Sequence, residues 1–483
     1  MELPKKPITM KVTCKIGLMG IGLDTYWPQF PTLKPKLEQN QARIRKELEL
    51  DGAAVVDVGI LDNQGQALPI ASHFKKEAID LLFVNISTYA LSQIVLPVLQ
   101  QLKVPVVLLN ISPYAGIDFD RFNGLPTREE RTGAWLELCQ SCVAPELVSV
   151  LQRTNIPFQL ISGHLDDQDA WKEARSITKA CIVAKSLAQT KLGLIGNYYS
   201  GMLDVYSDLT QLSGFLGHQN QILEFGLIKK YRNECTERDI TKKISEFKET
   251  FEVSAECSAF EMERAAKTSL ALDRLADENG LGAIAYYFEG QGDGEYLDLV
   301  TSLIPGLTLL TGKNIPCAGE FEVKNALAMK IMDLLGSGGS FSEFYAIDYE
   351  KDIILLGHDG PAHFAIAEGK VGLVPLNVYH GKPGKGLSIQ MRVKPGPITL
   401  LSVCQGFDGK VFFLYAEGEA IHGPTFQIGN TNSQYKFPID AKTFINQWSL
   451  AGPSHHCAIG TGYQGHAISQ LAKLLAIPCV KIC

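Results

Sequence analysis

The sequence has 483 residues and ten histidines, seven of which fall in the last 126 positions: His358, His363, His380, His422, His455, His456 and His466. Two of their contexts suit chemistry. LLGHDGPAH sets His358 directly after a strand-like run, in a glycine-bearing loop, and LAGPSHHCAIG sets His455 and His456 at the start of an apolar run. Histidines at strand edges can converge from distant parts of a chain, although any one alone is an ordinary structural residue. Carboxylates stand in equally unusual settings. Glu289 ends the apolar run AIAYYF, Glu320 lies in IPCAGEFEVKNALAMK just before a helical pattern, and Glu343 is flanked by aromatic residues in SFSEFYAID. A carboxylate in apolar surroundings is costly unless it is paired, protonated or bound to a metal. Taken singly, each is a satisfied hydrogen-bonding group or, for Glu320, an acid favouring the positive end of the next helix. Taken together, two Glu and two His give an O,O,N,N donor set. That set suits Mn²⁺ and related divalent ions and leaves room for substrate oxygens. Glu320, Glu343, His358 and His456 are 23, 15 and 98 residues apart, so spacing alone does not establish the set.

These residues must be positioned by the elements around them. In the first half, CKIGLMG, AAVVDVGI, DLLFVNI, VPVVLLN and PFQLIS are short runs rich in Val, Ile and Leu. Runs apolar on both faces suit parallel strands covered by helices. Helical patterns at 33–50, 91–102 and 132–152 lie between them, giving the strand–crossover–strand signature of an open α/β domain, here residues 1–165. The pattern restarts with a helix at 167–191 and the strand KLGLIGN, then continues through helical stretches at 234–251 and 260–279 to the strand GAIAYYF. This predicts a second Rossmann-like parallel-sheet domain, 166–325. Farther on, VGLVPLNVY, GLSIQMRV, ITLLSVCQ, KVFFLYAEGEAI and TFQIGN read as strands separated by Gly/Pro turns too short for crossover helices. They should pair antiparallel, giving a β-rich, barrel-like C-terminal domain, 326–483, that carries the metal ligands and ends in a helix at 463–476.

Composition narrows the function. With 46% hydrophobic and 20% charged residues the chain is an ordinary globular protein, and at ~100–200 residues per domain it should hold two to four domains. The formal charge of −7, from 45 basic and 52 acidic residues, argues against nucleic acid as a partner. No apolar run approaches the ~18 residues of a membrane span, and the first residues show no signal peptide. Eleven scattered cysteines then read as reduced thiols of a cytoplasmic protein. The single CxxC, Cys139 and Cys142, has no second pair to make a zinc site, and packing is its reading. Gly17-Leu-Met-Gly-Ile-Gly22 follows the first strand but lacks the dinucleotide fingerprint. It runs into the aromatic loop DTYWPQFP, where open α/β sheets bind ligands.

The runs AGEFEVKNALAMKIM, GGSFSEFY, ILLGHDG and LAGPSHHC, in this order, resemble the bacterial L-arabinose isomerase family, within the superfamily that also holds L-fucose isomerase. The resemblance is strongest across 280–360 and 448–460. It implies metal ligation by Glu320, Glu343, His358 and one of the His455–His456 pair, with His456 preferred. It further places Phe288 and Met202 at pocket positions. With these we expect Glu320 and Glu343 to act as the catalytic acids as well as ligands, and Tyr26, Trp27 and His455 to complete the substrate pocket. The sugar-facing loops depart from the family. DGPAHF follows the metal histidine where the family is bulky and apolar, GLDTYWPQF replaces a Gln-His pair, and Arg128, Arg131 and Thr132 stand where the family supplies a partner histidine.

The implied activity is aldose–ketose isomerisation of a pentose, hexose or substituted sugar. Mn²⁺, or Co²⁺ or Mg²⁺, would assist proton transfer through a cis-enediol, although a hydride shift would use the same ligands. A homo-oligomer, hexameric in the family, with sites at subunit interfaces is also implied. A non-catalytic carbohydrate-binding or sensor protein on the same scaffold, and a metal-dependent hydrolase or lyase, are the competing readings.

Overall fold

A computed structural model describes residues 14–287, 294–377 and 385–483. The described residues form two compact units, 14–185 and 186–483. In the first, β1 (Cys14–Ile21), β2 (Ala53–Leu61), β3 (Leu81–Ile86), β4 (Val106–Ser112) and β5 (Phe158–His164) form one parallel sheet in the order β2-β1-β3-β4-β5. Strand β3, LLFVNI, is buried at every position. That is why its sequence shows no alternation. Helices Leu33–Leu48, Ala67–Glu77, Ser92–Gln101 and Gln140–Arg153 are the crossovers. The helix expected over 132–152 is two helices, Arg128–Leu136 and Gln140–Arg153. The first is opened by a capping box between Thr127 and Glu130.

The second unit begins with β6 (Lys191–Gly196) and β7 (Gln219–Leu223), followed by β8 (Phe251–Val253), β9 (Ala283–Tyr287) and β10 (Cys317–Ala318). Strands β10-β9-β6-β7 make a second parallel sheet. Helix Ala259–Asn279 packs on it, burying Ala271, Leu272, Leu275 and Ala276 with Leu307 and Leu310.

The remaining strands are β11 (Ser340–Asp348), β12 (Ile353–His358), β13 (Val371–Leu376), β14 (Gly386–Gln390), β15 (Gly396–Gln405), β16 (Val411–Ile421), β17 (Thr431–Lys436), β18 (His456–Thr461) and β19 (Cys479–Lys481). They run β15-β18-β11-β12-β17-β16-β19 in one sheet. Strands β15 and β16 also pair along their whole length, which closes six strands into a barrel with no free edge between them. Its neighbours within the six are antiparallel, and β19 adds parallel to β16. A small sheet, β14-β13-β8, stands beside it. Ile398, Leu400, Leu414, Ala416, Cys457 and Ile459 fill a core shared with Phe444 and Trp448.

One expected strand is displaced. TFQIGN is irregular, with Phe426 and Ile428 exposed, and the strand is the polar TNSQYK that follows. The Asn432 side chain accepts from Phe426 N and donates to Phe426 O, which ties the apolar segment outside the sheet.

No single helix among the described residues is long and apolar enough to cross a membrane.

Candidate metal centre

Barrel register brings three of the expected residues to the same level on three adjacent strands, where β18 begins, β12 ends and β11 passes between them. Glu343 of β11 lies directly opposite His456 of β18, and on its other side opposite Gly357, next to His358 of β12. A side chain at 357 would collide with Thr431 O at 2.2 Å and with the Tyr345 ring, so only glycine lets the strands close here. Phe341, two residues before Glu343, is buried against both imidazoles, whose own ring centroids lie 5.2 Å apart. Its ring centroid is 4.3 Å from that of His358 and 4.3 Å from that of His456. This apolar wedge limits how either ring can turn.

Glu320 arrives from the parallel sheet. It follows β10, and the helix Val323–Leu334 begins only at Val323, so Glu320 is not in that helix's first turn. Glu320 and Phe321 both have left-handed backbone, with φ of 55° and 58°. Such consecutive non-glycine residues are strained, and they persist only where neighbours over-determine them. Here Phe321 N donates to Tyr286 O, Glu322 N donates to Gly319 O, and the Phe321 ring packs edge-on against Tyr198. The turn delivers the Glu320 carboxylate to 3.4 Å from His456 Nε2 and 3.6 Å from His455 Nε2.

Glu320, His358 and His456 each offer a ligand atom within 4.8 Å of the others, and Glu343, His455 and His456 form a second such group. His456 belongs to both and is 1% exposed. Glu320 Oε2, His358 Nδ1 and both ring nitrogens of His456 have no hydrogen-bond partner although buried. Orphaned buried polar atoms call for a missing partner. Two imidazoles and carboxylate oxygens are a donor set that a borderline divalent cation would satisfy.

The electrostatics agree with neutral, ligand-ready imidazoles. Burial, helped by the neighbouring histidines, holds His358 and His456 down at about 3. Burial opposes charge on Glu320, yet the facing histidines hold its carboxyl below the usual range. His455 differs. Burial works against its charge, but the carboxylates of Glu320 and Asp204 raise it to about 9.

Two flanking residues lay outside the sequence reading. Glu322 is fully buried, with Oε2 3.7 Å from His456 Nδ1 and Oε1 3.7 Å from Lys324 Nζ. Burial, against the pull of Lys324, raises it to about 7. The Glu-x-Glu-x-Lys spacing of GEFEVK was a signal for it. Asp204, 251 residues before His455, gave none.

Met202 caps the 3₁₀ turn Leu203–Val205, two residues before Asp204. Phe288 lies outside the described residues. Tyr26 and Trp27 belong to the first unit, at the turn Asp24–Tyr26, where Trp27 Nε1 donates to Asp62 and Lys34 lies over the indole. In the same unit Arg131 donates to Leu125 O. Cys139 is buried and Cys142 exposed.

Two cavities flank the cluster. One, of about 370 Å³, is lined by Glu343, His455, Asp204, Phe344 and Trp448. The other, of about 90 Å³, is lined by Glu320, His358, Asp359, Tyr286 and Tyr287.

Two parallel α/β sheets and a closed antiparallel barrel, with a Glu–His cluster fit for a divalent cation, define the class of this chain. No family model matches it. It is similar to the L-arabinose isomerase of a Nocardioides species, 22% identical over 355 residues that cover 70% of this chain and 68% of that protein. It is similar as well to the sulfoquinovose isomerase of Priestia aryabhattai, 21% identical over 417 residues, 83% of this chain and 85% of the relative. The L-arabinose isomerase of Bifidobacterium adolescentis is 21% identical over 350 residues, 68% and 66% of the two chains. The chain is thus similar to L-arabinose isomerases and to a sulfoquinovose isomerase, relatives that are all sugar isomerases by name.

Proposed function

We propose that this protein is a metal-dependent aldose–ketose isomerase whose ligands are Glu320, Glu343, His358 and His456. The observation that supports it best is that Glu320, His358 and His456, far apart in sequence, bring ligand atoms within 4.8 Å of one another around buried atoms that lack partners, and that Glu343 adjoins this group through the shared His456.

Isomerisation moves hydrogen between C1 and C2 of the sugar while carbonyl and hydroxyl exchange places. A bound divalent cation, Mn²⁺ in the first instance, would polarise the sugar oxygens and offset the negative charge that develops on them. Glu343, whose side chain is 32% exposed and lines the larger cavity, is placed to reach a C–H of a sugar bound there. Glu320 approaches from the opposite cavity. One of the two takes the proton from C2 of the aldose as O1 is protonated, giving the cis-enediol. The proton is then returned to C1 as O2–H is deprotonated and C2=O forms, so that no atom is gained or lost. Such general-base steps contribute about 10²–10⁴-fold each. Glu320 stays ionised among the histidines, as a base requires. Phe344 and Trp448 offer apolar walls to sugar C–H faces.

The substrate is an aldose, neutral or anionic. Alignment with a sulfoquinovose isomerase over 83% of the chain, against 70% for an L-arabinose isomerase, favours including an acidic sugar. The test incubates the Mn²⁺-loaded protein with a panel of aldoses, L-arabinose and sulfoquinovose among them, and follows ketose formation and product mass. The expected result is a ketose of unchanged mass, lost on chelation of the metal. Cleaved or dehydrated products, or sugar binding without turnover, would refute the proposal.

A further inference from the structure

We propose that Asp204 is a positioning residue that fixes the imidazole of His455 so that its Nε2 faces the sugar oxygens, leaving His456 to the cation. The proposal rests on the isomerase reading and deepens it.

The geometry separates two adjacent histidines. Asp204 Oδ2 meets His455 Nδ1 at 2.6 Å and accepts the His455 backbone N–H at 3.0 Å. One carboxylate oxygen therefore holds both the ring and the main chain of the same residue. With Nδ1 engaged, His455 turns Nε2 toward the space between Glu320 Oε2, at 3.6 Å, and Glu343 Oε2, at 3.9 Å. His456 is oriented in the same sense, with Nδ1 toward Glu322 and Nε2 toward Glu320, but its side chain is wholly buried whereas that of His455 is 37% exposed and lines the larger cavity. The partner of the remote nitrogen decides which nitrogen serves the site.

Asp204 is itself anchored. Lys324 Nζ donates to Asp204 O at 2.6 Å and to Tyr206 O at 3.4 Å, and Ser454 Oγ donates to Asp204 O at 3.4 Å. Lys324 lies in the helix after Glu320, and Ser454 directly precedes His455. The turn carrying Asp204 is thus tied to the two segments that supply Glu320 and the histidine pair. A half-exposed Asp–His pair on a free surface would contribute little. This one is held in place by two further donor groups, Lys324 Nζ and Ser454 Oγ, so it can set geometry.

The variants are Asp204→Ala and Asp204→Asn in the full chain, loaded with Mn²⁺. Asp204→Ala is expected to lower kcat about 10–100-fold. KM and Mn²⁺ affinity, the latter by calorimetry, should stay within a few-fold of wild type. Asp204→Asn, which keeps an acceptor oxygen, should recover most of the loss. Unchanged kcat in Asp204→Ala overturns the proposal, as does a loss of Mn²⁺ affinity as large as the loss of kcat. Absence of turnover by the wild type on every aldose refutes the isomerase reading instead. The ring position is then decided by side-chain ¹⁵N spectra of the Mg²⁺-loaded protein, with His455 assigned through His455→Gln. A hydrogen-bonded Nδ1–H that is lost in Asp204→Ala supports the positioning role, and identical spectra overturn it.

Discussion

Glu322 stands 3.7 Å behind His456, on the side of the ring away from Glu320. Burial raises this carboxyl to about 7, although Lys324 opposes the shift. An acid behind a ligating imidazole fixes the tautomer and raises the basicity of the nitrogen facing the metal. Glu322→Gln keeps the volume and removes the charge. It is expected to weaken Mn²⁺ binding about 10–100-fold, measured by calorimetry. Unchanged affinity would reduce Glu322 to a packing residue.

The two acids in front of the imidazoles should behave differently from the one behind. Glu320→Gln and Glu343→Gln are each expected to abolish ketose formation, with circular dichroism like that of the wild type. Both face cavities rather than the core, at 19% and 32% side-chain exposure, so neither replacement opens a void. Retained turnover in either variant removes that residue from the reaction.

A cation that binds only the folded chain must stabilise it. At a hundredfold excess over its dissociation constant the gain is about 2.7 kcal/mol. Thermal unfolding of the Mn²⁺-titrated protein should therefore move upward by several degrees, in proportion to the logarithm of free Mn²⁺. His456→Asn should abolish this shift, because His456 is shared by both ligand groups. A shift that survives in the variant would place the stabilising ion elsewhere.

The parallel sheets were legible because burial on both faces writes itself as unbroken apolar runs, as in LLFVNI. The barrel was legible as a class but not strand by strand. TNSQYK is polar in composition, yet Ser433 accepts from Val393 N and Asn432 bonds to Phe426, so its buried polar groups are satisfied. Only the folded chain shows those partners, and composition therefore pointed to the neighbouring TFQIGN. Among the candidate ligands, His358 and the histidine pair stood out by type and by position beside apolar runs, and Glu343 by its aromatic neighbours. Glu320 was visible too, but not the left-handed turn that aims it. Asp204 could not be found, since nothing local in NYYSGMLDV refers to a histidine 251 residues later.

A separate pH dependence should arise at His218, which is 2% exposed and follows the left-handed Gly217 that ends the helix Leu209–Leu216. Burial lowers this imidazole from 6.5 to about 4. The folded state thus keeps it neutral while the unfolded chain protonates it, and a depressed pKa means stability that is present above 6.5. That contribution falls as pH drops from 6.5 toward 4, because the unfolded state then binds the extra proton. A shift of this size corresponds to about 3 kcal/mol over the window. Replacing His218 by Gln removes the titrating group. The difference in unfolding free energy between wild type and His218→Gln should therefore shrink or reverse between pH 7 and pH 4, read from urea titrations at matched ionic strength. A difference that does not change with pH would mean that His218 is protonated in the folded chain as readily as in the unfolded one.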